Sequence, residues 1–130
     1  ASICKAQMRS LGEKAESCLN LNMIYREGIT NKDFKPVGDI RDMKQLPIYN
    51  EFILNGTREK WKKRLDNADV EARLIYPCLS TCEYINNRST KHGPFKNSER
   101  FGRHGIYLPG GPDANIDKIK ELIVFINSFD

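Results

Sequence analysis

Along the first 28 residues, apolar positions recur at steps of three and four: Cys4, Met8, Leu11, Ala15, Cys18, Leu21 and Tyr25. That spacing predicts one long amphipathic helix over residues 3–27. Gly12 weakens its middle, and Gly28 is placed to stop it. Such a helix is long for a small domain, so part of its apolar face is expected to serve a second domain or subunit.

The pattern then changes period. From Ile29 to Gln45 it is mixed and polar, broken by Pro36 and Gly38. Leu46–Leu54, "LPIYNEFIL", is a β-rich run closed by the turn pair Asn55-Gly56. Thr57 is expected to cap a helix running to about Asn67, with Trp61 and Leu65 on its inner side. Val70–Pro77 alternates, with Val70, Ala72 and Leu74 on one face and Glu71 and Arg73 on the other, which predicts a half-buried strand. Residues 78–97 read as an irregular loop, and loops of that length are seldom idle in a compact domain.

A short helix is expected from Asn97 or Ser98 to Arg103, then a strand in "GIYLP". The last helix carries Ile116, Ile119, Leu122, Ile123, Ile126 and Phe129 as one apolar stripe, capped by Asp113 or Asn115. Few, short strands interleaved with helices predict an α+β fold: a small three- to four-stranded, mostly antiparallel sheet, helices packed on one face, and a long N-terminal helix.

Composition fits one domain of 130 residues, 39% hydrophobic and 29% charged. No apolar run reaches the roughly 18 residues of a membrane helix, and no secretory signal is visible at the N-terminus. The opening alanine points to a trimmed or excised polypeptide. Net charge is +4, from 21 basic and 17 acidic residues. The densest basic cluster, Arg58–Arg64, reads as the solvated face of a helix, or alternatively as a surface for phosphates. Cys4, Cys18, Cys78 and Cys82 are too few and too irregular for a disulfide framework. Free thiols in a reducing cytoplasm are expected, and no metal site.

The chemistry-bearing motifs are mostly excluded. "LPGGPDAN", Leu108–Asn115, lacks the spacing and the lysine of a phosphate-binding loop, and Pro112 removes a backbone donor. No serine sits in a Gly-x-Ser-x-Gly elbow. Cys78 or Cys82 could pair with His92 or His104, but nothing in their spacing demands it. Asp66 and Asp69 read as helix-end residues, and Glu83 is isolated.

The longer stretch "TREKWKKRLDNADVEARLIYPCLSTCEY", Thr57–Tyr84, resembles the C-terminal part of the DegT-type pyridoxal-phosphate sugar aminotransferases, of the fold type I superfamily. The residues that match are Arg58, Leu65, Val70, Arg73, Tyr76, Pro77, Leu79 and Tyr84. "FKNSERFGRHGIYLPGGPDANIDKIKELIVFI" is similar to that family's closing segment, "ESCLNLNMIYREGI" to the helix entering its small domain, and "LPIYNEFIL" to that domain's first long strand. The resemblance spans nearly the whole chain.

It implies a single domain over residues 1–130, corresponding to the family's small domain without the large cofactor-binding one. It implies substrate contacts at Arg73, Tyr76, Ser80 and Tyr84, although the loop after Pro77 is about a residue shorter than in relatives with histidine or asparagine near Ser80. Arg73 and Tyr76 also have plain readings, as a solvated strand residue and a packed aromatic. The family's Schiff-base lysine lies in a Ser/Asn-x-x-Lys segment followed by Gly-x-Gly-Gly, and no lysine here has that context. The resemblance therefore implies pyridoxal phosphate in the parent enzyme but no catalytic, cofactor-binding or metal-binding residue in this chain, which by itself should not transaminate. The implied partners are the large domain, a second subunit and a nucleotide-sugar. Neither nucleic acid nor membrane is expected, and the location is cytoplasmic. The competing expectation is a non-catalytic binding domain for an anionic partner, either a nucleotide-sugar or a nucleic acid.

Overall fold

The computed structural model describes residues 2–38, 46–87 and 93–129, with the side chains of Ser2, Cys4, Ala6 and Asn86 left out of account. His92 and parts of the 29–45 and 78–97 segments fall outside the described residues. The fold is α+β, as the patterning predicts, and falls into two compact units.

The first unit comprises residues 1–31, 37–50 and 109–130. Its helices are α1 (Ser2–Arg9), α2 (Leu11–Gly28) and α6 (Ile116–Asn127). The single helix expected over 3–27 is therefore two, separated at Ser10, whose φ of −101° and ψ of 10° are not helical. Beyond the break the predicted stripe is buried only at Leu21 and Tyr25, while Met8 is 66% and Leu11 49% exposed. Periodicity names a face; it does not supply a neighbour to cover it.

α6 fulfils its pattern. Asn115, one of the two expected caps, accepts from the amides of Asp117 (3.0 Å) and Lys118 (3.2 Å). Ile119, Leu122, Ile123 and Ile126 are buried, and α6 packs on α2. A Cβ on Gly28 would stand 3.0 Å from Ile123 Cδ1, so the end of α2 approaches α6 closely. The Asn127 amide secures this end: its Nδ2 donates to the Gly28 carbonyl (2.8 Å), and its Oδ1 accepts from the amides of Thr30 (2.9 Å) and Asn31 (3.2 Å). These partners satisfy backbone groups at a helix end that would otherwise be orphaned.

A buried relay of polar side chains also lies in this unit. Arg26 Nε donates to Asn22 Oδ1 (2.7 Å), Asn22 Nδ2 to Asn50 Oδ1 (3.1 Å), and Asn50 Nδ2 to the carbonyl of Pro109 (3.2 Å). Tyr25 Oη donates to the same carbonyl (2.9 Å), and burial pushes the Tyr25 phenol far above its ordinary pKa. Arg26 also donates to the carbonyls of Gly38 (2.7 Å) and Val37. The relay explains "LPGGP". A Cβ on Gly110 would stand 2.2 Å from Asn50 Nδ2, and Gly111 has a φ of +142°. Both glycines answer to packing and backbone geometry.

The second unit comprises residues 32–36 and 51–108. Its four-stranded sheet has the order β1-β2-β4-β3, with β1 (Phe34–Pro36), β2 (Asn50–Leu54), β3 (Arg73–Leu74) and β4 (Gly105–Leu108). β1 and β2 pair antiparallel, Phe34 opposite Leu54, and so do β3 and β4, Arg73 opposite Tyr107. The helices of this unit include α3 (Arg58–Asn67), against β3, and α5 (Lys96–His104), against β4.

Two strands are shorter than their patterns suggest. Leu46–Tyr49 lies outside β2, with Ile48 and Tyr49 exposed. β3 keeps two residues of the eight expected, and burial falls on Ala72 and Ile75 rather than on Val70 and Leu74. A strand exists only where a partner offers its ladder.

The core of this unit gathers Phe34, Phe52, Trp61, Leu65, Ile75 and Ile106, all buried. The Phe34 ring meets Trp61 edge-on at 4.8 Å and Phe52 at 5.9 Å. Trp61 Nε1 donates to Asp33 Oδ2 (2.9 Å), so the buried indole keeps a hydrogen-bond partner. Trp61 and Leu65 face inward as their spacing predicts. Gly56 has a φ of +107° at the predicted turn, and Asp69 ends α3 at a φ of +58°. Thr57 sits at the N-cap of α3 without a side-chain cap bond.

Candidate functional site

The segment after Pro77 is more regular than a loop. Cys78 leads into a 3-10 turn, Leu79–Thr81, followed by α4 (Glu83–Asn86). The Thr81 amide and hydroxyl both donate to the Cys78 carbonyl, at 2.9 and 2.7 Å, and the Cys82 amide donates to Leu79 (3.0 Å). This local bonding holds the turn in place of a strand or helix partner.

α5 sits directly on the start of this turn. Gly102 is buried, and a Cβ there would be 2.7 Å from the Cys78 amide nitrogen. Any larger residue would push the two backbones apart. Gly105, where β4 begins, is similarly confined by Ile75 Cδ1 and the Phe101 carbonyl, both 2.5 Å from a Cβ position. Arg58, at the head of α3, fastens the same region: its Nη1 donates to the carbonyls of Gly102 and, at 3.3 Å, Ile75. The arginine of the sequence motif is thus a positioning residue joining α3, the end of β3 and α5.

Beside this junction lies an open cleft of about 410 Å³, lined by Ser80, Thr81, Gly93, Pro94, Phe95, Glu99 and Arg103. Glu99 and Arg103 stand one helical turn apart on α5, so they share a face. Next to it the Cys78 sulfur lies 3.0 Å from Ser80 Oγ. Hydrogen bonds from Ser80 and Ser98 hold the Cys78 thiol below its ordinary pKa, opposed by burial and by the Glu99 carboxylate.

Of the four substrate residues implied by the resemblance, only Ser80 lines the cleft. Arg73 is exposed and bonded to Glu71 Oε1 (3.1 and 2.5 Å), while Tyr76 is 82% and Tyr84 64% exposed. Glu99, Arg103 and Phe95 were not singled out by pattern. The signal that could have found them is the spacing of Glu99 and Arg103 within "SERFGRH". His104 Nδ1 lies 3.1 Å from the Gly56 carbonyl, and His92 lies outside the described residues. Cys18, Cys78 and Cys82 are free, and no group of metal ligands occurs among the described residues. The basic cluster is largely engaged within the chain. Arg58 is bonded as above, Lys62 pairs with Asp66, and the Arg64 guanidinium stacks 4.8 Å over the Trp61 ring. No described helix is long and apolar enough to cross a membrane.

A family model for the DegT/DnrJ/EryC1/StrS aminotransferases matches residues 1–127. The chain belongs to that family. Its fold is similar to that of S. venezuelae DesV, solved with a ketimine intermediate, at a TM-score of 0.87 and 15% identity over 98% of this chain and 34% of DesV. It is also similar to DesI, solved with its TDP-sugar product, at 0.77 and 18% identity over 93% of this chain and 32% of that one. Spr1654 of Streptococcus pneumoniae, in its PLP form, aligns at 0.80 and 12% identity over 95% and 33% of the two chains. The chain therefore spans about a third of the length of these structures. No sequence among the curated proteins matches it.

Family membership raises the question of whether the residues present fit pyridoxal phosphate. A Schiff-base lysine needs a pocket that holds its amine beside the ring. Every described lysine except Lys62 is exposed, Lys62 pairs with Asp66, and none of the described lysines lines the cleft. Among the described residues, no lysine has such a pocket.

Proposed function

We propose that residues 1–130 are a single domain, the small C-terminal domain of a pyridoxal-phosphate-dependent aminotransferase that aminates a nucleotide-linked keto-sugar, and that the chain alone is inactive. The observation that carries this reading is the family match over residues 1–127, in a chain that spans only a third of the structures it resembles. The TDP-sugar of DesI and the PLP form of Spr1654 support the substrate class and the cofactor.

In this reading a large domain supplies the Schiff-base lysine and the cofactor, which when bound would carry the amino group and act as the electron sink for the carbanion left on deprotonation of the carbon that bears it. A second subunit completes the enzyme. This chain's contribution is to position and exclude water: the cleft at Ser80 flanks the substrate, and the Arg73–Tyr76 strand end lies next to it in sequence. A cytoplasmic setting accords with the free thiols of Cys18, Cys78 and Cys82.

Two observations test the proposal. The reading frame extended upstream should encode a Ser/Asn-x-x-Lys segment followed by Gly-x-Gly-Gly, and its absence would remove the aminotransferase reading. The chain alone, titrated with pyridoxal phosphate, should give no stoichiometric imine absorption band. A saturable band would show that a lysine of this chain holds the cofactor.

A further inference from the structure

We infer that Asn55 is a site of spontaneous covalent modification: the Gly56 backbone nitrogen displaces its side-chain amide, leaving aspartate or isoaspartate just after β2. The change needs water alone, and it loosens the pairing of β1 with β2.

The reaction requires a side-chain amide next to a backbone N–H that is both unhindered and available. Asn55-Gly56 is the one Asn-Gly pair in the sequence, and both residues are exposed. Gly56 has a φ of +107°, and nothing lies within 4 Å of the position a Cβ would take, so this side of the peptide is open. The Gly56 carbonyl faces His104 Nδ1 at 3.1 Å, but the Gly56 amide makes no hydrogen bond among the described residues. Backbone donors are usually engaged, so a free one beside an exposed asparagine is a notable pairing. Asn50, in contrast, is buried with its amide bonded to Asn22 and to the Pro109 carbonyl. Asn127 is followed by the Ser128 amide, which donates to the Val124 carbonyl (3.0 Å).

The Gly56 nitrogen, once its proton has gone to solvent, attacks the Asn55 Cγ. The N–Cγ bond forms, the Cγ–Nδ2 bond breaks, and Nδ2 leaves as ammonia with a proton from solvent. A five-membered cyclic imide remains. Water then opens it at either carbonyl: one opening gives aspartate, the other routes the main chain through the side-chain carbon as isoaspartate. No electrons are gained or lost.

The product cannot do what Asn55 does. Asn55 Nδ2 donates to the Lys32 carbonyl (2.7 Å) and its backbone amide to the Asp33 carbonyl (2.8 Å), beside the Phe34–Leu54 pair. A carboxylate has no proton to give, so the Lys32 carbonyl would face an acceptor in place of a donor. Isoaspartate also adds a main-chain carbon between Leu54 and Gly56. The bond to Lys32 restrains the reaction, because Cγ must leave it to meet the Gly56 nitrogen. It is one exposed hydrogen bond, which slows conversion without stopping it.

The test is prolonged incubation of the folded chain at physiological temperature in mildly alkaline buffer, followed by tryptic peptide mapping. Peptide 45–58 should gain the mass of an amide-to-carboxylate exchange, with fragmentation placing it at Asn55 and not at Asn50, as two isomeric products. Conversion should be slower than in the same chain held in urea. Asn55→Gln, whose longer side chain would have to close a six-membered ring, should leave the peptide unmodified over the same period. In Asn55→Asp, protection of the position-55 amide from hydrogen exchange should fall about fivefold, the factor that loss of one ordinary hydrogen bond brings. No conversion in the folded chain while the urea sample converts would overturn the site, as would equal conversion at several asparagines. Unchanged protection in Asn55→Asp would overturn the loosening of β1.

Discussion

Gly110→Ala should destabilise the chain, although at most positions without positive φ the change to alanine stabilises by about 0.4–1 kcal/mol through the unfolded state. The new Cβ would lie 2.2 Å from Asn50 Nδ2 and 3.3 Å from Leu21 Cδ2. Asn50 is only 3% exposed, so its amide has no open space to swing into. Displacing it breaks the bonds to Asn22 and to the Pro109 carbonyl and orphans the buried Asn22 amide. Two buried hydrogen bonds at about 1 kcal/mol each, plus one unsatisfied donor at about 1–3 kcal/mol, offset by the entropy gain, leave a net loss of about 2–4 kcal/mol. In a domain of this size that lowers the melting temperature by on the order of 10 °C.

The assay is urea unfolding followed by far-ultraviolet circular dichroism, for Gly110→Ala, Asn50→Ala and the double variant. In the Asn50→Ala background the obstructing amide is gone, so adding Gly110→Ala should cost less than about 0.5 kcal/mol and the two changes should couple strongly. An equal loss in both backgrounds would refute the contact with Asn50 as the reason for glycine. A loss below about 0.5 kcal/mol in the native background would refute the packing argument altogether.

Arg58→Met should cost about 2–3 kcal/mol in the same urea assay, because the carbonyls of Gly102 and Ile75 lose a charged donor; a change near zero would deny Arg58 its positioning role. Asn127→Ala removes three bonds at the junction of α2 and α6 and should cost about 1–3 kcal/mol, with faster hydrogen exchange at the Thr30 and Asn31 amides. Unchanged exchange there would place the binding of those amides elsewhere. Iodoacetamide labelling of Cys78, read by mass spectrometry across pH, should show a midpoint below the ordinary thiol value of about 8.5. Ser80→Ala removes a hydrogen bond that favours the thiolate, so the midpoint should rise and the rate at neutral pH should fall; a midpoint that stays or drops would contradict the assigned cause.

Much of this architecture could be read locally. α3 and α6 follow from apolar spacing with a cap or turn at each end, and Trp61, Leu65, Ile119 and Ile126 are buried where their periods put them. Asn55-Gly56 turns as its chemistry requires, since only a residue that tolerates positive φ fits there. β4 appears where "GIYL" predicts it. Such features depend on residues within a turn or two of each other, so the chain's order already contains their cause. Of the candidate site, only Ser80 was legible as a lining residue.

The remainder depends on neighbours that sequence order does not reveal. The apolar spacing runs unbroken through Ser10, yet Met8 and Leu11 stay exposed because no described element covers them. Leu46–Tyr49 has the residues of a strand, yet β2 begins only at Asn50. Gly110 must be glycine because of Asn50, sixty positions earlier in the chain, and Arg58 reaches Gly102 across 44 positions. Glu99 and Arg103 look like ordinary surface charges until Gly102 brings α5 onto the backbone of Cys78 and sets them beside Ser80 and Thr81. The amino-acid sequence determined which faces were apolar and where the chain could turn. Tertiary packing alone decided which of those faces met, because a contact between distant residues is specified by the space between elements and by no local pattern.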